Sequence, residues 1–219
     1  MKSCGRSRFS RLWQRLGAST NGVSEHAELL RHYGDSTRAY HNLAHIGHCL
    51  EVLDAVHFGN GDSDIIELAL WYHDVIYDSR GTDNEGRSIA LFLERASSAR
   101  LPESVQRSVV LCIEATRHRE IATEMRARVT ADIDLVILGT PDEQFDAYEV
   151  AIRKEYAWVP EDVFARERAK VLRHFLGRAQ IYSIPTLNKK YGLKARMNLE
   201  RGVVKCLMTL DRLGKKTEG

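Results

Sequence analysis

The stretch Tyr40-His41-Asn42-Leu43-Ala44-His45-Ile46-Gly47-His48 decides how this chain is read. At helical spacing, His41, His45 and His48 stand at i, i+4 and i+7 and share one face. Leu43, Ile46, Leu50 and Leu53 fall on the opposite face, while Cys49, Val52 and Val56 continue the histidine face as apolar residues. A helix that is apolar on both sides is an interior helix, and an interior imidazole needs partners for its ring nitrogens. The pattern points to a site inside a helical protein.

The rest of the chain repeats the helical period. Pro102, Pro141, Pro160 and Pro185 all fall between periodic segments, where a residue without an N–H starts or stops a helix. Helices are predicted over 24–33, 42–57, 64–73, 84–96, 102–117, 130–138, 141–158, 160–176 and 186–213. Gly34, Gly59-Asn60-Gly61 and Gly139 act as stops, and Gly192 and Gly202 as weak points in the last segment. No run alternates with period two, so the expected fold class is all-α, a single-domain helical bundle over 24–213 with a tail over 214–219.

Composition narrows the partners. The 219 residues are 43% hydrophobic and 28% charged, with a formal net charge of +2. That balance fits neither a disordered chain nor a duplex nucleic-acid binder held by bulk charge. The apolar run from Ile65 to Tyr72, broken by Glu67, is far too short to span a bilayer. Cys4, Cys49, Cys112 and Cys206 have no zinc-knuckle or dithiol spacing, so they read as free thiols of a cytoplasmic protein. Residues 1–23 carry Lys2, Arg6, Arg8, Arg11 and Arg15 without an acid, and no apolar stretch of signal-peptide length follows. Phe9, Leu12, Trp13 and Leu16 alternate with those arginines at helical spacing. This segment is either flexible, a first helix packing on the domain, or an amphipathic helix for a membrane surface.

Two further pieces join the histidines. His73-Asp74 ends the apolar segment 65–72, and Asp132-Ile133-Asp134 interrupts another apolar run ending Leu135-Val136-Ile137-Leu138. By chance alone a chain of this composition is expected to hold roughly 0.4 His-x3-His pairs and about 0.5 His-Asp doublets, so neither is informative by itself. Their shared position at apolar helix segments is what makes them informative. Adjacent residues on a helix point about 100° apart, so His73 and Asp74 can reach one ion only where the backbone turns. Tyr77-Asp78-Ser79-Arg80-Gly81 supplies a turn. Imidazole with carboxylate makes a site suited to a divalent ion such as Mn, Mg, Zn, Fe, Co or Ni. A zinc protease would place glutamate directly after the first histidine, and Asn42 stands there instead.

Taken together, these residues resemble the HD superfamily of metal-dependent phosphohydrolases, with a His, a His-Asp doublet and a distal Asp on separate helices. The Tyr40-His41-Asn42-x-x-His45 string is similar to the opening signature of class I cyclic-nucleotide phosphodiesterases. With Leu68-Ala69-Leu70-Trp71-Tyr72-His73-Asp74-Val75-Ile76-Tyr77-Asp78, Asp83-Asn84-Glu85 and Asp132-x-Asp134-Leu135, the chain also resembles a group of bacterial HD phosphohydrolases over about 24–200. The resemblance implies an HD-type helical bundle, a divalent metal, and hydrolysis of a phosphomonoester or phosphodiester by a metal-bound water. It implies His45, His73, Asp74 and Asp134 as metal ligands, with Asp132 as the alternative to Asp134, and His41 as proton donor. His118 is a second donor or a ligand to a second ion, and Glu85 is either part of an ordinary helix cap or a partner of the catalytic water. Arg153 and Lys154 are weaker candidates for substrate phosphate, along with Arg168, Arg178 and Arg196. The expected partner is a small phosphorylated substrate, such as a nucleotide, and an oligomer is left open. A metal- or nucleotide-binding helical module without turnover is the competing expectation.

Overall fold

The computed structural model describes residues 4–56 and 62–217, with side chains to residue 215. Among them are ten α-helices, one 3-10 segment and no strand. The chain groups into two compact units, Met1–Asp134 and Leu135–Gly219, which divides the stretch 24–213 that sequence alone treats as one piece.

The first unit contains α1 (Arg6–Arg15), α2 (Val23–Tyr33), α3 (Leu43–Ala55), α4 (Asp62–Tyr72), α5 (Asn84–Ser98), α6 (Glu103–Ala115) and α7 (Met125–Asp134). Helix α4 is its axis. Every residue from Ile65 to Tyr72 is buried, because a helix apolar all round is stable only when other helices cover every side. Helices α1, α3, α5, α6 and α7 all pack against it. The single charge in that run, Glu67, is met by Arg8 of α1 at 2.7 and 3.0 Å. The same guanidinium reaches Asp54 of α3 at 2.7 and 2.8 Å.

Helix α1 belongs to this core. Phe9, Leu12 and Trp13 have no exposed surface, and Phe9 meets the Trp71 ring edge-on at 5.5 Å. Two of its arginines are also engaged, Arg8 with Glu67 and Asp54, and Arg15 with Asp64 at 2.7 and 2.9 Å. An amphipathic helix whose apolar face is already covered leaves nothing to enter a membrane surface.

Several helix boundaries differ from the expected ones, and those of α3 and α7 bear on the site. Asn42 caps α3 by accepting from the Ala44 N–H at 2.8 Å, so the helix begins at Leu43 and His41 precedes it. The expected end at His57 and the stop Gly59-Asn60-Gly61 lie outside the described residues. Helix α7 begins at Met125 rather than residue 130, because the Glu124 carboxylate accepts from the Ala127 N–H at 2.9 Å. It ends at Asp134 and passes into the 3-10 segment Leu135–Gly139.

The second unit contains that 3-10 segment with α8 (Asp142–Glu155), α9 (Glu161–Leu176) and α10 (Pro185–Thr217). Helix α10 packs on the other three, and Asn198 donates to the carbonyls of Leu138 and Thr140 at 2.9 and 2.8 Å. It runs unbroken through Gly192 and Gly202 and beyond residue 213. A Cβ on Gly202 would come within 2.9 Å of Leu172 Cδ1, so this glycine serves the close approach of α9 and α10. No described helix is long and apolar enough to cross a membrane. All four cysteines are buried and free.

Candidate metal centre

The site grows out of the way α4 ends. A helix leaves its last carbonyls without intrahelical partners, and buried carbonyls must be satisfied some other way. Here the Ala69 carbonyl takes the His73 N–H at 2.8 Å, Leu70 takes His73 Nδ1–H at 2.9 Å, Trp71 takes the Tyr33 hydroxyl at 2.9 Å, and Tyr72 takes the Val75 N–H at 3.2 Å. Beyond the helix, Arg38 donates to the carbonyls of Asp74 and Val75, each at 2.8 Å. Ser88 of α5 brackets Ile76, accepting from its N–H at 3.1 Å and donating to its carbonyl at 3.3 Å. The chain is therefore held in a turn at 73–76, which is what lets adjacent residues 73 and 74 aim at one point.

At that point four side chains converge from α3, the α4 turn and the end of α7. His45 Nε2 lies 3.2 Å from His73 Nε2, 3.1 Å from Asp134 Oδ1 and 3.7 Å from Asp74 Oδ2. His73 Nε2 lies 3.1 Å from Asp74 Oδ2 and 3.4 Å from Asp134 Oδ1. All four ligand atoms fall within 4.8 Å of one another. Ligand atoms about 2.1 Å from one ion stand about 3.0 Å apart at octahedral angles and about 3.4 Å apart at tetrahedral ones. The donor set fits a divalent cation in chemistry and in spacing. Of the two aspartates in Asp132-Ile133-Asp134, it is Asp134 that joins the group, while Asp132 is buried outside it.

The ring orientations suit the same task. A carbonyl only accepts, so His73 carries its proton on Nδ1 toward Leu70 and presents a lone pair at Nε2. That lone pair faces another imidazole nitrogen and two carboxylate oxygens, a set that a shared cation reconciles. Without metal, a proton fills this role. Burial alone would lower the His73 pKa, but Asp74 and Asp134 outweigh it and hold the pKa well above its ordinary 6.5. Burial likewise opposes the charges of the two aspartates, and the histidines overcome it. His73 holds Asp74 below the usual carboxylate range, while His118, His45 and His73 hold Asp134 there. The imidazoles are 1% exposed and the carboxylates 14% and 17%, so the histidines form the inner wall and the aspartates the side nearer solvent.

The remaining candidates surround this group in different ways. His41 stands in the turn before α3, and its ring stacks on Tyr77 with centroids 3.9 Å apart and planes 21° apart. Its centroid is 6.2 Å from that of His45, which puts it at the rim of the group. Its place on the helical face with His45 and His48 is therefore corrected, since residues 40–42 are a turn. His118 donates from Nε2 to Asp134 Oδ2 at 2.8 Å, on the oxygen opposite the one that faces the histidines. Its φ of 53° lies in the left-handed region, where a residue with a Cβ is strained.

Glu85 pairs with Arg117 at 3.3 Å, and Asp83 caps α5 by accepting from the Gly86 N–H at 3.2 Å. A Cβ on Gly86 would sit 2.2 Å from Asp83 Oδ2, so the capping carboxylate leaves room only for glycine there. The phosphate-binding candidates are engaged in the second unit. Arg153 donates to the carbonyls of Tyr156 and Val159 at 2.5 and 2.9 Å, and Arg196 to those of Leu176, Arg178 and Ala179 at 3.1, 2.6 and 2.8 Å. Arg168 pairs with Glu149 and Tyr148. Lys154 lies in the last turn of α8, outside the convergent group.

Sequence reading missed Arg38, which is 8% exposed and links the turn before α3 to the turn after α4. Two residues before the Tyr40-His41 string, it looked like any loop arginine. The geometry can bind a divalent cation from one side and leave coordination positions on the carboxylate side. Comparison with protein-family models, characterised proteins and solved structures gave no match, so the reading of this chain rests on its own residues.

Proposed function

We propose that this chain is a metal-dependent phosphoric ester hydrolase of the HD type, acting on a phosphomonoester or phosphodiester of a nucleotide or small phosphorylated metabolite. The observation that carries the reading is the convergence of His45, His73, Asp74 and Asp134 within 4.8 Å. The class of substrate comes from the family resemblance. When bound, a divalent ion supplies Lewis acidity that activates water and neutralises charge on a phosphoryl oxygen. The two buried imidazoles hold that ion from within, and the two carboxylates set its charge and face the approach of substrate. His118 orients Asp134 through the outer oxygen. His41, stacked on Tyr77 at the rim, donates a proton to the leaving oxygen of the ester.

The test is metal analysis of purified protein, followed by product analysis on nucleotides and small esters with Mn, Co, Ni, Mg or Zn, reading free phosphate from monoesters and the monoester product from diesters. Turnover that needs both metal and His73 is the expected result. Stoichiometric metal with tight nucleotide binding and no turnover on any ester would favour the non-hydrolytic module instead.

A further inference from the structure

We propose that Arg38 is a positioning residue of the metal centre, setting the angle at which the His73-Asp74 doublet presents its two ligand atoms. The inference rests on the reading of His45, His73, Asp74 and Asp134 as one metal site. One Nη holds the Asp74 carbonyl at 2.8 Å and the His41 carbonyl at 3.3 Å, and the other holds the Val75 carbonyl at 2.8 Å. Its guanidinium lies over the rings of Tyr33 and Tyr77, at 5.4 and 5.9 Å from their centroids. Tyr33 in turn donates to the Trp71 carbonyl, and Tyr77 carries the stacked His41 ring.

One buried side chain therefore joins the turn before α3 to the turn after α4, the two irregular segments that carry His41 and the His73-Asp74 doublet. It fixes the backbone of Asp74 where the chain has left the helix. Without that clamp, residues 73 and 74 would relax toward helical directions about 100° apart, and the two ligand atoms would separate. The task requires a guanidinium. Its planar fork grips several carbonyls at once from a rigid frame, whereas an ammonium is a compact point charge on a flexible stem. A chain that needed Arg38 only for charge or bulk would accept lysine.

The experiment uses Co²⁺ alone as the probe, on full-length wild type, Arg38→Lys, Arg38→Gln and a core control, Leu12→Ala in α1. Ligand-field absorption of the bound ion reports coordination geometry, and competition with a chelator reports affinity. Both Arg38 variants should bind Co²⁺ about 10- to 100-fold more weakly, the usual effect of losing a group that orients ligands, and show an altered spectrum. Leu12→Ala should melt at a lower temperature with spectrum and affinity unchanged, which separates positioning from general stability. An Arg38→Lys spectrum and affinity equal to wild type would overturn the inference while leaving the metal site standing. Wild type that takes up no Co²⁺ would overturn the metal reading and this inference with it. Should the Arg38 variants fail to fold, nitrogen NMR of the wild-type guanidinium decides. Resolved, slowly exchanging Nη–H signals that shift on adding Zn²⁺ are expected, and one averaged signal unmoved by Zn²⁺ overturns the inference.

Discussion

His45 and His73 face each other nitrogen to nitrogen, Nε2 to Nε2 at 3.2 Å, while His73 spends its other ring nitrogen on the Leu70 carbonyl. The His73 lone pair, a second ring nitrogen at that distance and two carboxylate oxygens beside them make a place suited to positive charge. A proton can occupy it at low pH, and the proposed metal ion would take the proton's place at higher pH.

Metal binding should therefore release protons. His73 has a raised pKa without metal, so its contribution to stability is fully present below its ordinary 6.5 and is lost as pH rises through the raised value. Asp74 and Asp134 have lowered pKa values, so theirs is present above the ordinary 3.8 and is lost as pH falls through the lowered values. Chelator-treated protein should be most stable in the acid window between these limits and weaken above it. Metal-loaded protein should keep its stability there, since the ion takes the proton's place. Calorimetric melting against pH, with and without chelator, checks both limbs.

Asp134→Asn should lower metal affinity by more than about 100-fold, and Asp132→Asn by far less, because only Asp134 faces the histidines. Equilibrium dialysis with Zn²⁺ or Mn²⁺ distinguishes the two neighbours. Equal losses would place the site elsewhere.

The His118→Gly variant should split stability from binding. Glycine relieves the left-handed φ of 53°, worth about 1–2 kcal/mol, against the loss of the hydrogen bond to Asp134. The melting temperature should move little, while metal affinity falls by about 10- to 100-fold. A large drop in melting temperature at unchanged affinity would make His118 a purely structural residue.

If His41 donates the leaving-group proton, His41→Ala should keep its metal and lose about 10²- to 10⁴-fold in kcat on alkyl esters. An aryl phosphate with an acidic phenol needs little protonation, so the loss should shrink on that substrate. Identical losses on both substrates, measured by steady-state kinetics, would remove His41 from proton transfer.

Trp13→Ala should destabilise the protein by about 3–5 kcal/mol, because Trp13 has no exposed surface and its indole N–H donates to Thr20 Oγ1 at 2.8 Å. Denaturant melting measures the loss. A change under about 1 kcal/mol would show α1 to be a detachable segment.

Much of this was legible in the sequence, for identifiable reasons. Proline and glycine marked most helix ends because φ restriction and missing N–H groups act locally. The candidate ligands stood out because a histidine or aspartate inside an apolar run needs a partner wherever the run packs. Long-range satisfaction was not legible. Arg38 serves carbonyls that become orphans only once α4 ends at Tyr72, and no local pattern announces that. His41 was grouped on one face with His45 because their spacing is helical, yet Asn42 caps α3 and the helix begins only at Leu43. Gly202 looked like a weak point because its neighbour Leu172 lies on another helix.

X-ray absorption on the Zn-loaded protein tests the central claim most directly. Zn²⁺ held by His45, His73, Asp74 and Asp134 should give a shell of nitrogen and oxygen at about 2.0–2.2 Å, with the outer-ring scattering of two imidazoles. Failure to bind Zn²⁺ stoichiometrically, a shell without imidazole, or sulfur at about 2.3 Å from the nearby Cys49 would contradict it.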